Sequence, residues 1–567
     1  MPYHAPVKDI RFILDHVVGF ADVAATPRFA EATPDLADAI LAEAGRISTD
    51  ILAPLNRAGD KHPARLENGA VVSAPGFAEG YAAIASGGWV GMAASPDHGG
   101  MGLPISLALG VDDMMSGACL ALHLKPLLSK GQIEALEHHA SDAIKALYLP
   151  KLTSGEWSGT MNLTEPQAGT DVGALRSRAE PLADGTYAIS GQKIFITWGD
   201  SDLTANVCHL VLARLPDGVE GTKGISLFMV PKFIPDDAGK PGVRNSLRVV
   251  SLEHKLGIHG SPTCVMQFDA AKGWLVGAPH KGMAAMFTMM NNARLSVAAQ
   301  GVGVAEAAFQ HALAYALDRK QGATPLAADG TIFDHADVRR MLGGMRAEIF
   351  SARSIALSCA VAIDMASATG STDWQARAAL LTPIAKAYCT DVACEVAHQG
   401  VQIHGGMGFI EETGAAQFLR DARILPIYEG TNGIQAMDLV GRKLADGGEA
   451  AFRLIDEIER GAEAARPRLP ELAGDVWAAA EALRDGTEAM VAKPLNDRFA
   501  GAVPYLRAFA RILGGHAHLK AALADPTREP LARLMIRRLL PEHASLLVQS
   551  REGAGGLYAV DEGALAV

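Results

Sequence analysis

Only six cysteines occur in 567 residues (Cys119, Cys208, Cys264, Cys359, Cys389 and Cys394), and none falls in a CxxC spacing. That scarcity excludes a disulfide scaffold and suits a reducing cytoplasm. Metal-ligand spacings are missing as well. No HExxH occurs, His254 and His259 are five apart, and His138 and His139 are adjacent. Isolated histidines of this kind read as surface or packing residues, so no metal site is expected. No run of about 20 residues is free of charge, which argues against a membrane span. The opening MPYHAPVKDIRFILDHVVGF carries Asp9, Arg11 and Asp15 within its apolar pattern. It reads as a folded arm and not as a signal peptide. Positive charge is in deficit: 51 Lys and Arg against 63 Asp and Glu leave a net charge of −12. Nucleic acid and anionic membrane are poor partners for such a balance, although a local patch still admits an anionic small molecule.

What is present is ordinary globular composition, 49% apolar and 20% charged, in a chain long enough for about four domains. Residues 33–55, TPDLADAILAEAGRISTDILAPL, predict a helix with Thr33 as N-cap and Pro34 in first position. Leu36, Ile40, Ala44, Ile47 and Ile51 form its apolar stripe. Helical patterns continue to about Lys151, broken by DHGGMGLP at 97–104. The texture then changes. TYAISGQKIFIT (186–197), HLVLARL (209–215) and GISLFMV (224–230) are β-prone runs bounded by Gly, Asp and Pro. A small antiparallel β domain over about 158–275 is expected. Helical texture returns after Gly282, with one long helix to Gly322 and another from near Asp334 showing Val338, Met341, Leu342, Met345 and Ile349 on one face. Thr382 and Pro383 read as N-cap and first position of the next helix, because an internal proline costs about 3 kcal/mol. A last long helix starts at Thr431. GGE at 447–449 marks a junction to a further, charge-balanced helical region. Within it, LARLMIRRLLPEH (531–543) is basic and amphipathic. It reads as a helix packed on the protein in preference to a membrane-surface helix.

Four segments carry chemistry-bearing residues: MNLTEPQAGTDVGAL (161–175), KIFITWGD (193–200), QIHGGMGF (402–409) and LPIYEGTNGIQ (425–435). Singly, they are a capped turn, an aromatic strand, a helix C-cap with glycines and an acid near a helix start. The last sets Glu429 among flanking residues that carry no charge.

In this order and spacing the four segments resemble those of the flavin-dependent acyl-CoA dehydrogenase family, over about residues 40–445. The resemblance implies an α+β multidomain fold, mainly α. An N-terminal arm (1–35) precedes a helical domain (36–157), a middle antiparallel β domain (158–275) and a four-helix C-terminal FAD and substrate domain (276–445). An extra helical domain (446–567) follows. The arm, the extension and the segments YHAPVKDIRFIL and IFITWGD resemble a long bacterial branch of the family, whose substrates include 3-(methylthio)propanoyl-CoA.

The resemblance implies FAD as cofactor, lying between the β domain and the C-terminal helices. Leu163 and Thr164 would meet the flavin ring, Gly169 and Thr170 would line the passage shared with the thioester, and Phe195, Ile196 and Thr197 would cover the other face. Arg319, Gln402, Gly405 and Gly406 would reach the dinucleotide across a subunit boundary, and Thr431 would also sit at FAD. Glu429 would be the base that removes the α-proton as hydride leaves the β-carbon, giving a trans-2-enoyl-CoA. A carboxylate in water is a poor base for that carbon, and desolvation makes it a better one. Gly430 would admit the thioester. Some relatives carry the base on the segment matching 283–294, MAAMFTMMNNAR, which has no Asp or Glu here. In that segment Asn291 stands where many relatives have a CoA-contacting Asp, and Arg294 matches a family Arg near the base or CoA. HADV (335–338) and Gly433 also depart from the usual pattern. Electron-transferring flavoprotein is the implied acceptor. A homodimer is expected, the extension covering the face by which shorter relatives join two dimers. The alternatives are an acyl-CoA oxidase that uses O₂ and a DNA-associated protein on the same scaffold. The latter needs a basic face that 446–567 does not offer.

Overall fold

In the computed structural model, which describes residues 3–324, 326 and 329–566, the β-prone stretch folds into a seven-stranded sheet and a separate two-stranded one over 233–244. Both belong to a unit made of Arg46–Leu103 and Ala118–Ser296. A hairpin of β1 (Arg65–Glu67) and β2 (Ala70–Val72) comes first, in a stretch expected to be helical. Its turn is Asn68-Gly69, with φ of 50° and 76°. That dipeptide suits the mirror-image turns whose twist matches a hairpin. There follow β3 (Trp157–Asn162), β4 (Arg178–Pro181), β5 (Tyr187–Thr197), β6 (Asn206–Arg214), β7 (Ile225–Pro231), β8 (Phe233–Pro235), β9 (Pro241–Arg244), β10 (Leu247–Leu252) and β11 (Thr263–Val276). The seven-stranded sheet runs β10-β11-β5-β4-β6-β3, with β7 pairing both β11 and β6. Most pairs are antiparallel, but β3 lies parallel to β6, from Trp157 opposite Asn206 to Asn162 opposite Val211. The near-unbroken apolar runs of β6 and β7 are buried along their length, as strands covered on both faces require. Ile189, Val211, Phe228, Val230 and Phe268 form the centre of the core, and Val71 of the hairpin packs onto it.

The other unit comprises Met1–Gly45, Pro104–Gly117 and Val297–Val567. Its spine is a helical hairpin, Ala336–Thr369 and Thr372–His404. Gly370 ends the first helix at φ 67° and the Ser371 side chain caps the second, accepting from Trp374 N at 3.5 Å. The expected start at Thr382-Pro383 is therefore wrong. Pro383 sits inside a continuous helix. Burial of Leu380, Leu381, Ile384 and Tyr388 along this helix, at roughly 1.5–3 kcal/mol each, outweighs the proline's cost. The Thr382 hydroxyl donates to the Ala378 carbonyl at 2.8 Å. Met341, Leu342, Met345 and Ile349 are buried as the stripe on the first helix predicts. The Gly282–Asp318 helix stops four residues short of Gly322. The helix from Asn432 runs to Asp438 and continues as a π turn, Leu439–Lys443.

Thr33 caps the Pro34–Ile47 helix as expected, accepting from Leu36 N at 3.3 Å. Of the predicted stripe, Ala44 and Ile47 are buried, and the face before them is turned by one residue. Ala37, Leu41 and Ala44 are buried, while Leu36 is 38% exposed. Small residues set this face because the arm comes close: a Cβ on Gly45 would lie 2.5 Å from Val7 Cγ2. The arm is a helix, Val7–His16. Its buried Asp9 pairs with Arg353 (3.0 Å), Arg346 (3.1 Å) and Arg528 (3.0 Å).

Beyond residue 446, the Ala502–Ala524 helix is almost wholly buried. At Gly514 a Cβ would lie 2.7 Å from Ser351 Oγ, so the glycine sets how closely this helix approaches Ala336–Thr369. The segment 531–543 packs inward through Met535 and Ile536. Its Arg533 and Arg537 pair with Glu471 at 3.3 and 3.2 Å, so two of its exposed cations are already engaged within the protein. Two helices, Ile105–His139 and Ala336–Thr369, are long and apolar enough to cross a membrane by length and composition, but 94% and 78% of their apolar windows are buried in the protein.

Candidate active site

Glu429 stands at φ 57° and Gly430 follows at φ 84°. The left-handed region costs a residue with a side chain roughly 1–2 kcal/mol, so surrounding contacts must hold the turn. They are specific. Lys386 Nζ donates to the Gly430 carbonyl at 2.9 Å and to Asn432 Oδ1 at 3.0 Å. Gln435 Nε2 donates to the Glu429 carbonyl at 3.0 Å. Asn432 N closes the turn on the Pro426 carbonyl at 3.0 Å, and its side-chain amide donates to Asp391 Oδ1 at 2.7 Å. A Cβ on Gly430 would lie 2.9 Å from Gln435 Nε2, so glycine is required there for space as well as for φ. Thr431 caps the next helix as predicted, its hydroxyl accepting from Ile434 N at 3.4 Å. Tyr428 donates to buried Gln300. Burial and the Glu429 charge push the phenol well above its ordinary pKa, which keeps it a donor. The Glu429 side chain is half-buried.

Sequence reading missed Lys386, Asn432, Gln435 and Gln300. Lys386 left one signal: a lysine inside the apolar run LLTPIAKAY, where an unpartnered charge cannot remain buried.

A second strained place lies in the β unit. Between Cys264 and Met266 of β11, the pairing with β5 skips from Ile196 to Lys193. The extra residue on β5 makes a bulge, a device that re-aims a side chain. Phe195 sits there at φ 60°, 59% exposed, while Ile196 is buried. Trp198 also has positive φ (51°). It is buried, donates to the Ala121 carbonyl at 3.2 Å, and lies under Lys125 at 5.3 Å. Beside the bulge, buried Lys193 donates to the Leu163 carbonyl at 2.9 Å and to Glu165 Oε1 at 2.8 Å, and Ile194 N donates to the Thr164 carbonyl at 2.9 Å. Leu163, Thr164 and Phe195–Thr197 are thus brought together. Glu165 also accepts from Ser177 Oγ at 2.6 Å and Arg176 N at 2.7 Å. Burial raises its pKa, but Lys193 and these donors outweigh it and hold the carboxyl at about 2. Burial lowers Lys193 to about 8 against the pull of Glu165, so the pair is ionised near neutral pH. Gly169 and Thr170 are exposed just beyond this anchor. On the first turns of Gly282–Asp318, Arg294 is buried and donates to exposed Asn291 at 3.4 Å.

The third group joins two helix ends. His404, last residue of Thr372–His404, stacks on Tyr315 at 4.4 Å and on His311 at 4.8 Å. Arg319 follows Tyr315 by four residues, just past the end of Gly282–Asp318, and Gln402, Gly405 and Gly406 flank His404 in the chain. The rings border a groove of about 520 Å³. Burial and the neighbouring His404 lower His311 to about 4, and burial lowers His404 too. Nothing lies within 4 Å of a Cβ placed on Gly405 or Gly406, so packing alone does not explain Gly406. From Lys386 to His404 the helix rises about 27 Å. One flavin ring cannot meet both the Glu429 turn and this groove.

The residues fit FAD in kind. An exposed aromatic on a strained bulge suits one face of a planar ring. Open glycine backbone at Gly405 and Gly406, a guanidinium at Arg319 and the stacked rings of Tyr315 and His404 are groups of the kind that suits a diphosphate and a base.

Three family models match the chain: the acyl-CoA dehydrogenase N-terminal domain over 61–156, the middle domain over 160–271 and the C-terminal domain over 280–444. The chain is 46% identical to the 3-methylmercaptopropionyl-CoA dehydrogenase of Ruegeria pomeroyi, over 92% of this chain and 91% of that one. It is 34% identical to a butyryl-CoA dehydrogenase of Syntrophomonas wolfei, over 86% and 83%. Its fold is similar to that of an acyl-CoA dehydrogenase complexed with FAD from Bacillus anthracis, with TM-score 0.75, 21% identity and coverage of 98% and 92%. With these matches spanning the β bulge, the Glu429 turn and the glycine groove, the chain belongs to the acyl-CoA dehydrogenase family and is an FAD-dependent acyl-CoA dehydrogenase.

Proposed function

We propose that the protein oxidises a short acyl-CoA, 3-(methylthio)propanoyl-CoA in particular, to the trans-2-enoyl-CoA, with Glu429 as the base. The observation that carries this reading is the left-handed Glu429-Gly430 pair, held by Lys386 and Gln435. Strain of this kind clusters where a side chain must be aimed. The choice of acyl group rests on the 46% identity to the Ruegeria enzyme.

The Glu429 carboxylate takes the α-proton. The main-chain N–H of Glu429 donates to the thioester oxygen, where negative charge grows as the proton leaves. Gly430 leaves the thioester room beside the main chain. Arg294 and Asn291 meet the CoA portion. Leu163 and Thr164, anchored through Lys193, and Phe195–Thr197 hold the flavin ring, and Gly169 and Thr170 line the approach. FAD, when bound, supplies the acceptor for the β-hydride. Electron-transferring flavoprotein takes the electrons onward, in the cytoplasm.

The working form is a homodimer. Met407, Phe409 and Ile410 are exposed beside the glycine turn, Phe409 at 87%. Burying them against a second copy would bring Arg319, Gln402, Gly405 and Gly406 to the neighbour's FAD. The segment 446–567 occupies the face by which shorter relatives join two dimers. Light scattering should give a dimer, and a tetramer would contradict this.

The substrate reading is tested by kcat/KM across 3-(methylthio)propanoyl-, butanoyl-, octanoyl- and palmitoyl-CoA, with an artificial acceptor. The first should be highest. Preference for palmitoyl-CoA, or rapid peroxide formation on turnover, would overturn it.

A further inference from the structure

A cavity of about 60 Å³ lies inside the helical unit, where the end of the arm at Val17 meets the helices that carry Ser354, Arg377, Glu457 and His516. No step of the dehydrogenation uses these residues. The walls are apolar at Ile355, Leu381 and Leu454, and charged at Arg377, Lys520 and Glu457. Arg377 forks onto Glu457, with Nη2 to Oε1 at 3.2 Å. Lys520 donates to the Val17 carbonyl.

Several buried polar atoms at this cavity are left over. Among the described residues, neither ring nitrogen of His516 has a hydrogen-bond partner, and neither does Arg377 Nε or Ser354 Oγ. His516 is only 8% exposed. Unpaired buried donors are costly, and native interiors seldom keep several in one place without something bound among them. The neighbourhood is also shaped for this histidine, since any Cβ on Gly461 would collide with its ring.

Charge narrows the class of occupant. Burial and the nearby Lys520 lower His516 to about 4, so the ring is neutral at pH 7. Arg377 and Lys520 against Glu457 leave one net positive charge, which a monoanion balances. Size narrows it further. The cavity exceeds the ~10–15 Å³ that one water needs and is well below the roughly 300–1,000 Å³ of a drug-sized ligand pocket, so it suits a small molecule. Unpaired polar groups and aliphatic side chains in the lining of one small cavity match a carboxylate with a short alkyl chain.

We infer that this cavity binds a small aliphatic monocarboxylate, its oxygens accepting from Arg377 Nε, His516 and Ser354 Oγ and its alkyl end against Ile355, Leu381 and Leu454. The site is separate from the thioester site.

The test is isothermal titration of the FAD-loaded enzyme with propanoate and, as a neutral analogue of the same shape, propanamide. Propanoate should bind saturably at one site and propanamide should not. His516→Phe should weaken propanoate by about tenfold or more, the usual effect of losing a hydrogen bond to a charged group. Ser354→Ala, which removes only a hydroxyl, should weaken it too if His516→Phe fails to fold. A crystal structure with propanoate should show its carboxylate on those three groups. Binding of propanamide equal to that of propanoate, unchanged affinity in a folded variant, or ordered water alone in the cavity would overturn the inference.

Discussion

At the scale of single residues, Glu429 combines two costs, a left-handed backbone and partial withdrawal of a carboxylate from water. Neighbouring side chains meet the first. Lys386 is buried and grips the Gly430 carbonyl, next to the proposed base. Its role is positioning, so its loss should leave the carboxylate present but poorly aimed. Lys386→Met should lower kcat by about 10–100-fold, the usual effect of a misplaced reacting group, while flavin content stays at the wild-type level. Unchanged kcat would show that the turn holds without it. Glu165 gives a pH-dependent prediction. Its folded pKa of about 2 lies below the roughly 4.3 of an unfolded glutamate. The carboxylate therefore stabilises the fold fully above about pH 4.3, and that contribution fades as pH falls through the folded value. The gap in Tm between wild type and Glu165→Gln should be widest near pH 7 and narrow below about pH 4.3. A gap that widens with acid would contradict the ion pair.

At the scale of elements, the bulge on β5 places an aromatic side chain where the backbone disfavours any side chain at all. Phe195→Gly should relieve about 1 kcal/mol of strain. The flavin-free protein should unfold at a higher denaturant midpoint, yet FAD affinity should fall. Equal or tighter FAD binding would remove Phe195 from the flavin's surroundings. Strands such as β5, β6 and β7 were legible because their apolar runs are bounded by Gly, Asp and Pro. The bulge was not, since register depends on β11, which lies far along the chain. Pro383 was misread for a related reason. A local cost of about 3 kcal/mol is decisive only where packing does not exceed it. The helix from Pro34 shows another limit: alanines and Gly45 carry little apolar signal, yet they form the face that allows closest approach. In the site, the four segments were readable, whereas their supports were not. Lys386 and Gly430 are 44 residues apart, and only the fold makes them neighbours.

At the scale of the whole molecule, buried ionic clusters tie distant chain segments together. Arg353 pairs with Asp9 of the arm, Asp113 and Glu306 at 3.0, 2.7 and 3.0 Å, and Arg528 of the C-terminal region reaches the same Asp9. Arg353→Met would leave three carboxylates with a buried cation missing, a loss of about 3–5 kcal/mol. The unfolding midpoint should drop, and limited proteolysis should release the arm first. A variant as stable as wild type would mean that the cluster relaxes by admitting water.

The central claim is that Glu429 is the base of an FAD-dependent acyl-CoA dehydrogenation. Glu429→Gln keeps the size and backbone of the turn and removes only the proton acceptor. With flavin loaded and 3-(methylthio)propanoyl-CoA added under anaerobic stopped flow, bleaching of the flavin absorbance should slow by about 10²–10⁴-fold, with FAD content unchanged. Bleaching at the wild-type rate would contradict the account.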